Sequence, residues 1–382
     1  MTPTSDREAP GHLLMTTDAV GGVWQYATDL ARSLVPHGWR TTLAVLGPAA
    51  SAAQRTAALA TPGLTLIETG MPIDWLAKGE KEVTRAGKEL AEIAAETGVD
   101  LVQLNAPAFG ATARFPVPVV ATTHSCLASW WAAVKQEPIA ADYQWQARLT
   151  GAGLAAADRV VAPSAAFADA TMQAYRLAER PLVVHNGRPP LTRPAAAMHD
   201  FCFTAGRLWD KAKNVTTLDE VAGRLTVPFR AAGPLTAQNG EAAPPLAHLH
   251  ALGSIGESEI GRWLACRPVF VSASIYEPFG LAVLEAAAAG CPLVLADIPT
   301  FRELWDGAAT FVEPRDVKGF AQACDTIVGD VGLRLTLGEA ARTRAARYTP
   351  AAMATGMTAI YSSLGVTPQH AIDISGDKVA AA

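Results

Sequence analysis

Several things that define whole classes of protein are missing from this chain. No uninterrupted apolar run approaches the roughly 20 residues that a membrane-spanning helix needs. The polar start, MTPTSDREAPGH, carries no apolar stretch of the kind a secretory signal contains. The cysteines Cys126, Cys202, Cys266, Cys291 and Cys324 are odd in number and scattered, with no CxxC or Cys/His spacing. Neither a disulfide framework nor a zinc site is therefore expected, and buried free thiols in a reducing compartment are. Charged residues make up only 18% of the chain and the formal net charge is -5. No basic cluster offers a face to nucleic acid or asks for an anionic membrane surface, so no nucleic-acid partner is expected. GxGxxG is absent, which disfavours a nicotinamide cofactor, and so is DxD, which leaves no expected metal site and no cofactor. The expectation is a cytoplasmic protein.

What remains is apolar and long. Half of the 382 residues are hydrophobic, enough for two cores rather than one. A short run from His12 to Met15 leads to Gly21-Gly22. Trp24, Ala27, Leu30, Ala31 and Leu34 then recur at helical spacing until Pro36 and Gly38. TTLAVLG reads as the next strand. The alternation continues through LTLIETG, a helix near 78–97, DLVQLNA, PVVATTH, RVVAPS and PLVVHNG, as in a parallel sheet with crossover helices. Pro189, Pro190 and Pro194 break it within residues 187–200, where a linker is expected. Strand and helix then alternate again from DFCFTAGRL to TFVEP. The predicted class is α/β, with two Rossmann-like doubly wound parallel sheets. The domains are placed at 1–187 and 188–348, with a last helix over 349–365 and a frayed tail over 366–382.

Three places carry chemistry. In VFVSASIYEPFGLAVLEAAAAG a strand gives way to a loop holding Glu277, Phe279 and Gly280. A helix then starts near Leu281 and stops at Gly290. Free backbone N–H groups at such a helix start suit a phosphate, and Gly280 allows close approach. Glu285, set among Leu284 and three alanines, needs a partner, and ribose hydroxyls would serve. In TAGRLWDKAKN, Arg207 and either Lys211 or Lys213 stand at a strand end where a diphosphate would want cations, and Lys213 is favoured. Gly21-Gly22 serves either as a tight turn or as backbone approaching a ligand. His124 ends the strand PVVATTH, again at a C-terminal strand edge. The Trp-rich SCLASWWAAVKQ is read as a variable loop facing an acceptor, although Trp130 and Trp131 fit a core equally well.

This order of pieces resembles the retaining glycosyltransferases of family 4, which have the GT-B fold. The pieces are Gly21-Gly22, His124, Asn186-Gly187, GRL at 206–208 followed by lysine, EPFGLAVLE at 277–285, and TFRELWDGAATFVEPRD. The resemblance implies that Glu277 contacts sugar hydroxyls and Glu285 the ribose. Arg207 and Lys213 would hold the diphosphate with backbone at Phe279, Gly280 and Leu281. It also implies a final helix that returns to the N-terminal domain. Two departures stand out: Lys213 comes five residues after Leu208 and precedes Asn214, and His124 is followed by Ser125 where the family usually has Asp. The implied activity is metal-independent, front-face transfer of a hexose from a nucleotide-diphosphate sugar to a hydroxyl acceptor. UDP-glucose is placed ahead of UDP-N-acetylglucosamine and GDP-mannose, and the base is expected near Leu252–Ile255. A nucleotide-sugar epimerase and a non-catalytic nucleotide-sugar-binding protein are the competing readings. The first lacks an evident acid/base pair, and the second is disfavoured by the presence of Arg207 and Glu277.

Overall fold

The computed structural model describes residues 10–191 and 196–368. Most of the expected tail, and residues 192–195 of the expected linker, lie outside them. Short β-branched and aliphatic runs form two all-parallel sheets. The first contains β1 (Gly11–Asp18), β2 (Trp39–Leu46), β3 (Leu64–Glu68), β4 (Leu101–Leu104), β5 (Val119–Thr122), β6 (Arg159–Ala162) and β7 (Leu182–Val183), in the order β3-β2-β1-β4-β5-β6-β7. The second contains β8 (Cys202–Ala205), β9 (Phe229–Ala232), β10 (His250–Gly253), β11 (Val269–Ser272), β12 (Leu293–Ala296) and β13 (Thr310–Val312), in the order β10-β9-β8-β11-β12-β13. Both orders reverse direction once, between β1 and β4 in the first sheet and between β8 and β11 in the second. Ligands of such sheets bind at that reversal, beyond the carboxyl ends of the strands.

The strands are nearly continuous in apolar residues because helices cover both faces. On one face of the first sheet the helix Gly22–Leu34 buries Trp24, Ala27, Leu30 and Leu34, the positions its spacing marks out. On the other face Val83, Ala86 and Leu90 of the helix Glu80–Thr97 pack with Leu14, Val102 and Phe109. The second sheet has its own core around Phe203, Phe270, Leu293, Phe301 and Trp305.

The helix Pro350–Ser363 follows the second sheet in the chain yet packs into the first core. Met353, Met357 and Tyr361 join Leu13 and Trp39 there, and the Tyr361 hydroxyl donates to Gln103 Oε1. The chain passes between the sheets twice, and the two passages touch. A Cβ on Gly187 would lie 2.1 Å from the Thr349 carbonyl oxygen, so only glycine fits there. One expected loop is not a loop: SCLASWWAAVKQ contains the helix Leu127–Val134. Its high aliphatic and aromatic content packs well against neighbouring helices, which decides the matter over the loop reading. Among the described residues no helix is long and apolar enough to cross a membrane. The five cysteines are free, and all but Cys266 are buried.

Candidate active site

The two sheet reversals face each other across a cleft of about 340 Å³. Gly21, Gly22 and His124 come from the first sheet's strand ends; Arg207, Lys213, Glu277 and Gly280 come from the second's.

Two helix N-termini meet in this cleft. The helix Gly22–Leu34 starts at Gly21 and the helix Leu281–Ala288 starts at Gly280, and neither start has a side-chain cap. Their first N–H groups are therefore left to a ligand, and both dipoles present positive ends. The approach is close: a Cβ on Gly22 would lie 3.2 Å from Leu281 Cδ1. Gly280 has φ +93°, where L side chains are strained, and a Cβ there would lie 3.2 Å from Phe301 Cε1. The Phe279 ring is buried among His185 and Tyr348, which turns its backbone rather than its side chain toward the ligand space.

The two candidate lysines differ in position. Lys213 lies in the cleft, ion-paired with Glu277, and its stem runs over Gly206, where a Cβ would meet Lys213 Cε at 3.4 Å. Lys211 turns away to Glu241, 3.5 Å distant. Arg207 is exposed and donates to Asp210 Oδ2 at 3.0 Å. Asp210 also accepts from Trp130 Nε1 at 3.1 Å, so one carboxylate links the domains beside Arg207.

Glu285 has a partner that the sequence did not signal. Arg188, only 7% exposed, donates to Glu285 Oε1 (2.8 Å), Asp29 Oδ2 (2.8 Å) and Glu257 Oε1 (2.7 Å). Burial pushes the Glu285 and Asp29 carboxyls up, and Arg188 pulls them back. Burial disfavours the Arg188 charge as well, yet its three carboxylates more than offset this and hold its pKa above the usual value. Because Arg188 sits among the linker prolines, only the folded chain shows it to be part of the cleft. Leu252–Ile255 do not line the cleft; Glu257 and Ile260 of the next helix do.

His124 Nε2 lies 3.1 Å from Asn105 Oδ1, and its ring meets Tyr26 edge-on at 4.3 Å. Burial pushes its pKa down to about 3, so the ring is neutral at physiological pH. Further cross-domain bonds hold the cleft closed. Ser164 Oγ donates to the Pro278 carbonyl at 2.7 Å, and the Tyr276 hydroxyl accepts from Cys126 N at 3.2 Å. Glu303 caps the helix Ala165–Tyr175 by accepting from Ala165 N (2.8 Å) and Ala166 N (2.7 Å).

Comparison with known proteins bears on the family and the fold. The family model described as Glycosyltransferase Family 4 matches residues 20–190, and that described as Glycosyl transferases group 1 matches residues 200–330. A 95-residue stretch is 39% identical to glycogen synthase of Mycobacterium tuberculosis, but it covers only 24% of this chain and 23% of that enzyme. Sucrose-phosphate synthase from Thermosynechococcus elongatus superposes with a TM-score of 0.76 at 20% identity, over 93% of this chain and 99% of the other. HepE of Anabaena, solved with UDP-glucose, superposes with a TM-score of 0.70 at 20% identity, over 92% and 99%. At these identities the superpositions establish the fold. The two glycosyltransferase models together span most of the chain, which belongs to the family 4 glycosyltransferases and has the GT-B fold.

Proposed function

We propose that the chain transfers a hexose from a nucleotide-diphosphate sugar, UDP-glucose in the first instance, to a hydroxyl acceptor with retention of anomeric configuration. One observation carries this reading: two uncapped helix N-termini converge on the same cleft as Arg207 and Lys213. Backbone donors and positive dipole ends stabilise a phosphate without any charged side chain, and two cations add charge-assisted bonds. Support for a uridine donor comes from the fold shared with HepE, which was solved with UDP and with UDP-glucose.

In the proposed reaction the bond between the anomeric carbon and the diphosphate oxygen breaks as the acceptor oxygen bonds the same face of that carbon. The acceptor's proton passes to the departing diphosphate oxygen. What the protein must then supply is stabilisation of the developing negative charge, by Arg207, Lys213 and the backbone at Phe279, Gly280 and Leu281. Glu277 is held by Lys213, which suits it to accept from a sugar hydroxyl while the lysine reaches a phosphate. Glu285 has one oxygen on Arg188 and would offer the other to the ribose. Neutral His124 would hydrogen-bond the sugar rather than exchange a proton with it. Cross-domain closure excludes water that would otherwise hydrolyse the donor. We further propose that no metal is required, since these cations and helix starts already face the diphosphate position.

Calorimetric titration of UDP-glucose, UDP-N-acetylglucosamine and GDP-mannose tests the donor. UDP-glucose is expected to bind most tightly. Tighter binding of GDP-mannose than of either uridine donor overturns the assignment.

A further inference from the structure

A second cavity, of about 600 Å³, opens beside the first and shares Gly21, Gly22, His124 and Arg207 with it. That volume is typical of a small-molecule site. It is lined by an unusual density of large aromatics: Trp75, Trp130, Trp131, Tyr143, Trp145 and Trp209. Trp75 and Tyr143 stand among the most exposed large hydrophobics of the chain, at 37% and 46%. Trp131 is only 7% exposed, and its indole Nε1 has no hydrogen-bond partner.

The charges of this cavity are sorted in one direction. Three strongly basic side chains line it: Arg207, assigned above to the donor diphosphate, Lys211, ion-paired with Glu241, and Lys135, whose ammonium lies 5.6 Å from the centre of the Trp131 ring. Two carboxylates are held by no salt bridge among the described residues, although the Arg207 charge works against the burial that raises the Asp18 carboxyl. Asp18, at the end of β1, accepts from Val20 N (2.8 Å) and Gly21 N (3.2 Å), and Asp74 opens the short helical turn Asp74–Leu76 that lines the same cavity. Among the described residues neither forms an ion pair, and both carry acceptor capacity beyond their backbone bonds. Burial, and then the nearby Asp18 charge, push the Asp74 carboxyl up to about 6.

We infer that this cavity is the acceptor site, and that its occupant is a non-anionic polyhydroxylated ring such as a sugar or cyclitol, not a phosphorylated or carboxylated one. The inference rests on the donor reading above, because the shared wall is what places an acceptor hydroxyl beside the anomeric carbon. Indole faces match the C–H faces of such a ring, and carboxylates accept from its hydroxyls. A phosphate placed here would meet Asp18 and Asp74, and Lys135 would have to leave the Trp131 ring to offset the repulsion.

The test is calorimetry on the full chain saturated with UDP, using matched pairs: glucose with glucose 6-phosphate, and myo-inositol with its monophosphate. A parent compound is expected to bind at least tenfold more tightly than its phosphate. Trp75→Ala should weaken the parent and leave UDP binding unchanged. Asp74→Asn should narrow the gap between parent and phosphate, which loss of packing alone would not do. A phosphate that binds more tightly than its parent overturns the inference, as does a failure of all four to bind while UDP binds. Failure of UDP itself to bind would instead overturn the donor reading, and the pairs can then be titrated without it.

Discussion

Single side chains in this molecule do two different jobs, and exposure separates them. Arg207 is exposed, pairs with Asp210 and lies over the Trp209 ring, so it can turn to a ligand without disturbing a core. Arg207→Ala is expected to lower turnover at least about tenfold, the loss of one charge-assisted bond to phosphate, with the fold retained. Wild-type turnover in the folded variant would remove Arg207 from the site. Arg188 is the opposite case, a buried cation among three carboxylates. Arg188→Met strands Glu285 without a counter-charge, leaves Asp29 with only the exposed Arg32 at 3.7 Å, and is expected to destabilise the protein by about 3–5 kcal/mol. Both carboxyls already sit above their ordinary pKa through burial, so folding favours their protonated forms. Charge is hardest to keep buried when the pH is high. The melting temperature of the variant should therefore fall further below wild type at pH 8 than at pH 5. An equal deficit at both values would show that lost packing, not stranded charge, is the cause. His124 works in the same linkage but with fixed sign: its pKa is depressed from 6.5 to about 3. Its contribution is complete above pH 6.5 and drains away as the pH falls toward 3.

At the scale of elements, the site is made by where helices begin. The start at Gly280 needs a left-handed residue, and its lack of a Cβ keeps Phe301 and Glu277 in place. Gly280→Ala is expected to cost about 1–3 kcal/mol in backbone strain and to weaken UDP binding, read by calorimetry on the folded variant. Unchanged affinity would mean that the helix start does not hold the phosphate. Much of this element was legible in sequence. A strand, EPFG, an apolar helix and a closing glycine is a local pattern, and local patterns survive folding. The helix Leu127–Val134 was not legible as such, because a short run of Trp and Ala carries too few turns to show a period. Arg188 was hidden for another reason. Its three carboxylates are 159, 97 and 69 residues away in the chain, and no spacing rule reaches that far.

The whole molecule is two sheets held closed by bonds that cross between them. Glu303, from the second domain, caps a helix of the first and lies 3.2 Å from His185 Nε2. Burial would raise its carboxyl, but His185 and the two backbone N–H groups outweigh this and leave it below the ordinary value. A depressed carboxyl contributes fully above the ordinary carboxylate range and loses its contribution as the pH falls through its own pKa. Glu303→Ala is expected to open the cleft, seen as a larger radius of gyration by small-angle scattering at pH 7. Wild type should open in the same way only on acidification below the carboxylate range. Identical scattering from the variant at pH 7 would show that the cap does not hold closure. Excess EDTA is expected to leave turnover intact, and a complete loss restored by Mg²⁺ would overturn the metal-free proposal.

The fold class and most of the parts that line the cleft were local in the sequence. Strand–helix alternation, Gly21-Gly22, GRL with its lysine and EPFGLAVLE are each set by neighbours within a few residues, where propensity and periodicity act. The tertiary structure decided which of those parts meet. It put Lys213 in the cleft and Lys211 on Glu241, and gave Glu285 its arginine. It also laid the last helix against the first sheet and gathered separate tryptophans around one cavity. These are contacts between residues tens to hundreds of positions apart, fixed by the order of strands in the sheets and by the closing of one domain on the other.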